Sequence, residues 1–301
     1  MRIRLAHIAM CPTLLVLTDF SAGANRSLKV AVNFAHLLEA QLVVLHVHRD
    51  SLLDPERFTG KLSGESYEAT MRALHSLVRQ LPVPALAEVG QGLLPDVVAD
   101  AIRRYHPLLV VLSRPDAENI PDELATTTAL QLLRSSSFPL LVVPPATTKM
   151  TAPRHVLLAA DGGEFGVDEH GDALRHVLAA LHAPVTLVHV TESATQHTAA
   201  QAYETVAGAG LTRDLPRVST NHICHASPTQ GLLQAVAAQR ADLLVVLARP
   251  RSVWGELFHR SVTAQLLLHS PVPVLVLPVQ NTPARKRPPR PTETDGLLYS
   301  I

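Results

Sequence analysis

Cysteine is nearly missing: Cys11 and Cys224 are the only two in 301 residues, and they fall in opposite halves of the chain. A disulfide framework is thereby excluded, and a reducing compartment, with the cytoplasm as default, is expected. Net charge is missing too, because 26 Lys and Arg balance 26 Asp and Glu. Without a global field, neither nucleic acid nor a membrane surface is an expected partner. No apolar run approaches the ~18 residues that span a bilayer. The charged-then-apolar start, Met1 to Ala6, is interrupted by His7, Pro12 and Thr13, and no small-residue cleavage pattern follows. The sequence also lacks Gly-x4-Gly-Lys-Ser/Thr, Gly-x-Gly-x-x-Gly and Gly-x-Ser-x-Gly, which removes support from the common nucleotide-driven, dinucleotide and esterase classes.

What remains is a chain that is 47% hydrophobic and 17% charged, enough to bury a core. At roughly 150 residues per domain, its length predicts two domains. An internal repeat supports that number. Leu14 to Asp19 is matched by Val156 to Asp161, and Leu42 to Val47 by Val185 to Val190. Leu109 to Leu112 pairs with Leu244 to Leu247, and Phe138 to Pro144 with Val272 to Pro278. The first two landmarks lie 142 to 143 positions from their mates and the last two 134 to 135, so the second copy is shorter between its second and later strands.

Each landmark is a short Val- and Leu-rich run, as strands buried on both faces of a parallel sheet read. Helical periodicity follows them, at Leu28, Ala31, Val32, Ala35 and Leu38 and again at Ala173, Leu174, Val177, Leu178 and Leu181, with Ser21 available as a cap. Further helices are read over 95–105, 231–240, 124–133 and 263–268. The fold class expected is α/β, two tandem doubly wound parallel-sheet (Rossmann-like) domains, over 11–145 and 153–279. Residues 144–153 read as a linker, and 280–301, rich in proline and arginine, as a disordered tail.

In such sheets ligands bind beyond the carboxyl ends of the strands. That rule selects Asp19 and Asp161 after the first strands, His46-Val47 and His189-Val190 after the second, and the segments following Leu112 and Leu247. Either aspartate can accept from a ribose or base, or simply cap the next helix. His46 and His189 are expected to hydrogen-bond within the sheet. His222, Cys224 and His225 form a metal-like cluster whose spacing does not converge on one ion, so no metal site is assigned. Asp168 to Asp172 reads as a helix start.

Taken together, Thr18-Asp19-Phe20-Ser21, His46-Val47, Val110-Val111-Leu112 and Pro139 to Pro144 resemble the strand-end signatures of the universal stress protein family, and the second half repeats them. The resemblance covers about 11–279 and implies a tandem member acting in the stress response, through an unknown protein client or a small ligand. It also implies an intramolecular pseudo-dimer and allows a homodimer. In the members that bind ATP it implies an adenine-nucleotide site from the first-strand Asp, the Val of His-Val and a glycine-rich loop, Gly-x2-Gly-x9-Gly-Ser/Thr. Here the loop departs from the family. The first half has Ser113, Asp116, Thr126 and Thr127 at those positions, and the second has Ala248 to Arg251, then Arg260-Ser261, one residue short. Without glycine the backbone loses its close approach to phosphate.

The expectation is therefore a degenerate first site of Asp19, Val47, Thr126 and Thr127. If ATP or AMP is retained, its place is expected in the second half, at Asp161, Gly162, Gly163, Val190, Arg249, Arg251 and Ser261, the arginines replacing the glycines as anion ligands. An exposed charged loop is the competing reading for the arginines, and a plain turn for the glycines. No catalytic residue is assigned. A slow ATPase or hydrolase in the second half is the alternative function, and Trp254 beside it is a natural fluorescent reporter.

Overall fold

A computed structural model describes residues 11–48, 62–114, 128–135, 138–147, 151–167, 169–192, 199–249 and 261–280. The first half runs β1 (Thr13–Thr18), α1 (Ala22–Leu37), β2 (Gln41–His48), α2 (Leu62–Arg79), β3 (Ala85–Gln91), α3 (Leu94–Tyr105), β4 (Leu109–Ser113), α4 (Thr128–Ser135) and β5 (Leu140–Val143). The second half repeats the order: β6 (Val156–Ala159), α5 (Glu169–Leu181), β7 (Val185–Thr191), α6 (Ala199–Gly208), β8 (Val218–Cys224), α7 (Pro228–Ala238), β9 (Leu243–Ala248), α8 (Val262–His269) and β10 (Val274–Pro278).

All ten strands join one sheet in the order β3-β2-β1-β4-β5-β10-β9-β6-β7-β8. Within each half the pairing is parallel. Between the halves β5 and β10 run antiparallel, with Val142 opposite Val274, Leu141 opposite Leu275 and Leu140 opposite Val276. The last strand of each repeat thus covers the edge of the other, which is how a short apolar edge avoids unwanted pairing. This is the intramolecular pseudo-dimer expected from the repeat.

Strand residues alternate between two cores, as a period of two requires. Leu14 and Val16 face a layer built with α1, α2, α5 and α6, while Leu15 and Leu17 face one built with α3, α4, α7 and α8. Each cluster contains residues of both halves, so the hydrophobic core does not stop at the repeat boundary.

Local signals account for the helix starts. Ser21 caps α1 by accepting from the Ala24 amide at 3.1 Å, and Ser227 does the same for α7 from Gln230. Pro95 and Pro228 stand in first turns, where their missing N–H costs nothing. The shortening of the second repeat falls in the second crossover, where α2 has 18 residues and α6 has 10. Gln280, grouped with the tail by composition, instead exchanges two backbone hydrogen bonds with Gly166 at 2.9 and 3.0 Å. Residues 281–301 lie outside those described.

Candidate functional site

In each half the central first strand is flanked by the second on one side and the fourth on the other, so the connections leave toward opposite faces. A crevice must open at the carboxyl ends of β1 and β4, and likewise of β6 and β9. The two crevices begin from the same turn and end differently.

In the first half the chain turns sharply after Thr18. Asp19 accepts from the Ser21 amide at 2.9 Å through Oδ1, and Phe20 between them adopts φ +62, a left-handed conformation uncommon for a bulky residue. The corresponding turn in the second half places Gly162 at φ +77, with the Gly163 amide donating to Asp161 Oδ1 at 3.0 Å. Here glycine adopts the positive φ without the Cβ penalty that Phe20 bears.

Around Asp19 lies a cleft of about 850 Å³, lined among others by Gly23, His46, Val47, Ser113, Arg114 and Gln131. Gly23 permits this wall to close up, because a Cβ there would come within 3.3 Å of the Ser113 side chain. His46 Nδ1 donates to the Thr18 carbonyl at 2.8 Å, which aligns the ends of β1 and β2, and its ring lies 5.0 Å from that of Phe20. Among the described residues Asp19 forms no ion pair; its carboxylate is bonded by Ser21 and stands on the wall of the cleft. Partial burial pushes the Asp19 carboxyl upward, but hydrogen bonds from the Ser21 hydroxyl and amide outweigh it and hold the group below its ordinary value of 3.8, with His46 contributing in the same direction. Asp19 is an anion at neutral pH.

The second half repeats the histidine: His189 Nδ1 donates to the Ala160 carbonyl at 2.8 Å. The surroundings of Asp161 differ. Arg249, the first residue after β9, donates from Nε to Asp161 Oδ2 at 2.7 Å and from Nη2 to Oδ1 at 2.8 Å. The same guanidinium donates to the carbonyls of Gly163 at 2.6 Å and Glu164 at 2.9 Å. Arg249 was expected to neutralise phosphate; instead both oxygens of the neighbouring carboxylate hold it. Gly163 faces it so closely that a Cβ would lie 2.8 Å from Nη2.

Two of the remaining second-half candidates have local structural partners. Val190 packs against α7, where a Cβ at Gly231 would meet it at 2.8 Å. Ser261 caps α8, accepting from Ala264 at 3.1 Å. Arg251, Thr126 and Thr127 lie outside the described residues, as do Asp116, Trp254, Arg260 and Asp168. His222 Nε2 hydrogen-bonds the Thr191 hydroxyl at 2.8 Å, and the Ser227 amide donates to His225 Nδ1 at 2.9 Å. No metal-holding cluster occurs among the described residues.

Arg114 escaped the sequence reading. It follows β4 as Arg249 follows β9, and the repeat offset of 135 would have exposed the correspondence. Its guanidinium crosses the boundary between the halves, donating from Nη1 to the carbonyls of Ser270 at 3.0 Å and Leu267 at 3.2 Å at the end of α8.

Two doubly wound parallel α/β units joined in one sheet define a tandem protein of Rossmann-like architecture. A model of the universal stress protein family matches residues 10–144 and again 153–278, and the chain belongs to that family. Membership places it among proteins of the stress response. A universal stress protein from Archaeoglobus fulgidus DSM 4304 has the same fold, with 18% identity, a TM-score of 0.68, and coverage of 88% of this chain and 98% of that one. A Pseudomonas aeruginosa UCBPP-PA14 protein assigned to the same family matches with 15% identity, a TM-score of 0.53, and coverage of 90% and 94%. No curated protein matches the chain. No described helix is long and apolar enough to cross a membrane.

Proposed function

We propose that this chain serves the stress response as a binding protein whose ligand site is the first-half cleft. The observation that carries the reading is the Asp19 carboxylate, ionised and in no ion pair among the described residues, on the wall of an 850 Å³ opening at the switch point of the sheet. An acceptor of this kind reads donors, such as ribose hydroxyls or an adenine amine, and Val47 supplies an apolar contact beside it. The nearby His46 uses Nδ1 to hold the strand end, which favours a positioning part over acid–base work. The alternative, a slow ATPase or hydrolase in the second half, uses Asp161 and the arginine-bearing loop, and the ion pair between Asp161 and Arg249 weighs against it. A client protein reading the ligand-bound state completes the proposal.

Equilibrium dialysis of the full chain against labelled adenosine, AMP, ATP and NAD tests it. Binding of an adenosine-containing ligand that Asp19→Ala weakens at least tenfold is expected. If none of the four binds, or if binding is indifferent to Asp19→Ala, the reading fails.

A further inference from the structure

We propose that the second-half crevice is a guanidinium site filled from within: the Arg249 side chain is its resident ligand, so the doubled chain offers one open site instead of two. The inference rests on the first-half reading only for the count of sites. Among the described residues, the groups that hydrogen-bond the guanidinium are all acceptors. Both oxygens of Asp161 and the carbonyls of Gly163 and Glu164 converge on it, four contacts between 2.6 and 2.9 Å. A planar fork meeting a carboxylate side-on is the geometry in which arginine binds most specifically. The Phe165 ring, 6.0 Å from the guanidinium carbon, adds a further face. The Arg249 side chain is 21% exposed and the Asp161 side chain 63%, so the guanidinium is covered on one side while the carboxylate stays open to water.

Position alone does not dictate this closure. Arg114 holds the corresponding place after β4 and the same Arg-Pro sequence follows it, yet it donates to Leu267 and Ser270 in the other half. Asp19 and Asp161 make the same turn with Oδ1. They part at the guanidinium: Arg249 bridges both oxygens of Asp161, whereas Asp19 forms no ion pair among the described residues. Gly163 is what allows the fit, since its missing Cβ leaves room for Nη2. The crevice therefore selects a flat cation, the opposite charge from the phosphate that the arginines of this segment first bring to mind.

The test uses the full chain with Arg249→Ala, or Arg249→Met, which keeps the aliphatic stem if the alanine variant does not fold. Ethylguanidinium at millimolar concentration is expected to raise the Tm of these variants by a few degrees. It should leave the wild type and the Asp161→Ala/Arg249→Ala double variant unmoved, and tetramethylammonium, a cation without N–H donors, should do nothing. In dialysis with labelled adenosine, the Arg249 variants should gain one further equivalent, removed by adding Asp161→Ala. A wild type already binding a second, Asp161-dependent equivalent would overturn the proposal, as would Arg249 variants that respond neither to ethylguanidinium nor to adenosine. Should the wild type bind no adenosine while the Arg249 variants respond through Asp161, the closure stands and the first-half reading falls.

Discussion

Asp19 and Asp161 hold the same place in two repeats, closing the same turn, and what separates them is one donor group, the Arg249 guanidinium on Asp161. The depressed Asp19 carboxyl has a consequence for acid stability. A carboxylate held below its unfolded value adds stability above about pH 3.8, and that increment disappears as pH falls through the lower folded value. Asp19→Asn should therefore lie below the wild type in urea midpoint at pH 7 and approach it as pH falls below the ordinary carboxylate range. Equal separation at all pH values would show that shape rather than charge sets the role of Asp19. By the same sign, ligand binding that needs the Asp19 anion should persist on acidification until below the ordinary carboxylate range.

Among the elements, α8 is unusual in being completed from the other repeat. Its last carbonyls carry the negative end of the helix dipole, and the Arg114 guanidinium brings a positive charge to Leu267 and Ser270. Arg114→Ala is expected to cost about 1–2 kcal/mol in denaturant unfolding, with Arg114→Lys recovering part of it. A loss below a few tenths of a kcal/mol would mean that the cap is satisfied by water. Other elements explain what periodicity overlooks. β3 and β8 end the ten-stranded sheet on either side, and all of their residues are half-buried or exposed. They carry no continuous apolar run, so neither strand stands out in the sequence. α2 and α6, which pack beside them, anchor to the core through few residues, among them Leu74, Ala202 and Val206, too sparse a stripe to announce a helix. β1, β2, β4 and β5 and their repeats are covered on both faces and are legible for that reason.

For the molecule as a whole, the β5–β10 junction converts two repeats into one sheet with two shared cores. A fragment of residues 11–147 would leave the hydrogen-bonding edge of β5 open, with Leu140 to Val143, each at most 2% exposed in the full chain, beside it. That fragment is expected to self-associate by pairing β5 with its own copy, read as a dimer mass in sedimentation equilibrium. A monodisperse monomer would show that the edge can be protected without the second repeat.

The sequence by itself determined the doubled α/β order, the buried strands and the place of both crevices, because a strand hidden on two faces must be apolar throughout and must end where polar residues resume. It also marked Asp19 and Asp161, which follow from that ending. Only the tertiary structure decided where the two arginines go. Arg114 and Arg249 sit in like surroundings along the chain, each after its fourth strand and before a proline. One turns to a helix end 156 residues away and the other to an aspartate 88 residues away. A guanidinium on a long flexible stem goes to the acceptors that folding brings within reach, and sequence neighbours do not specify that reach.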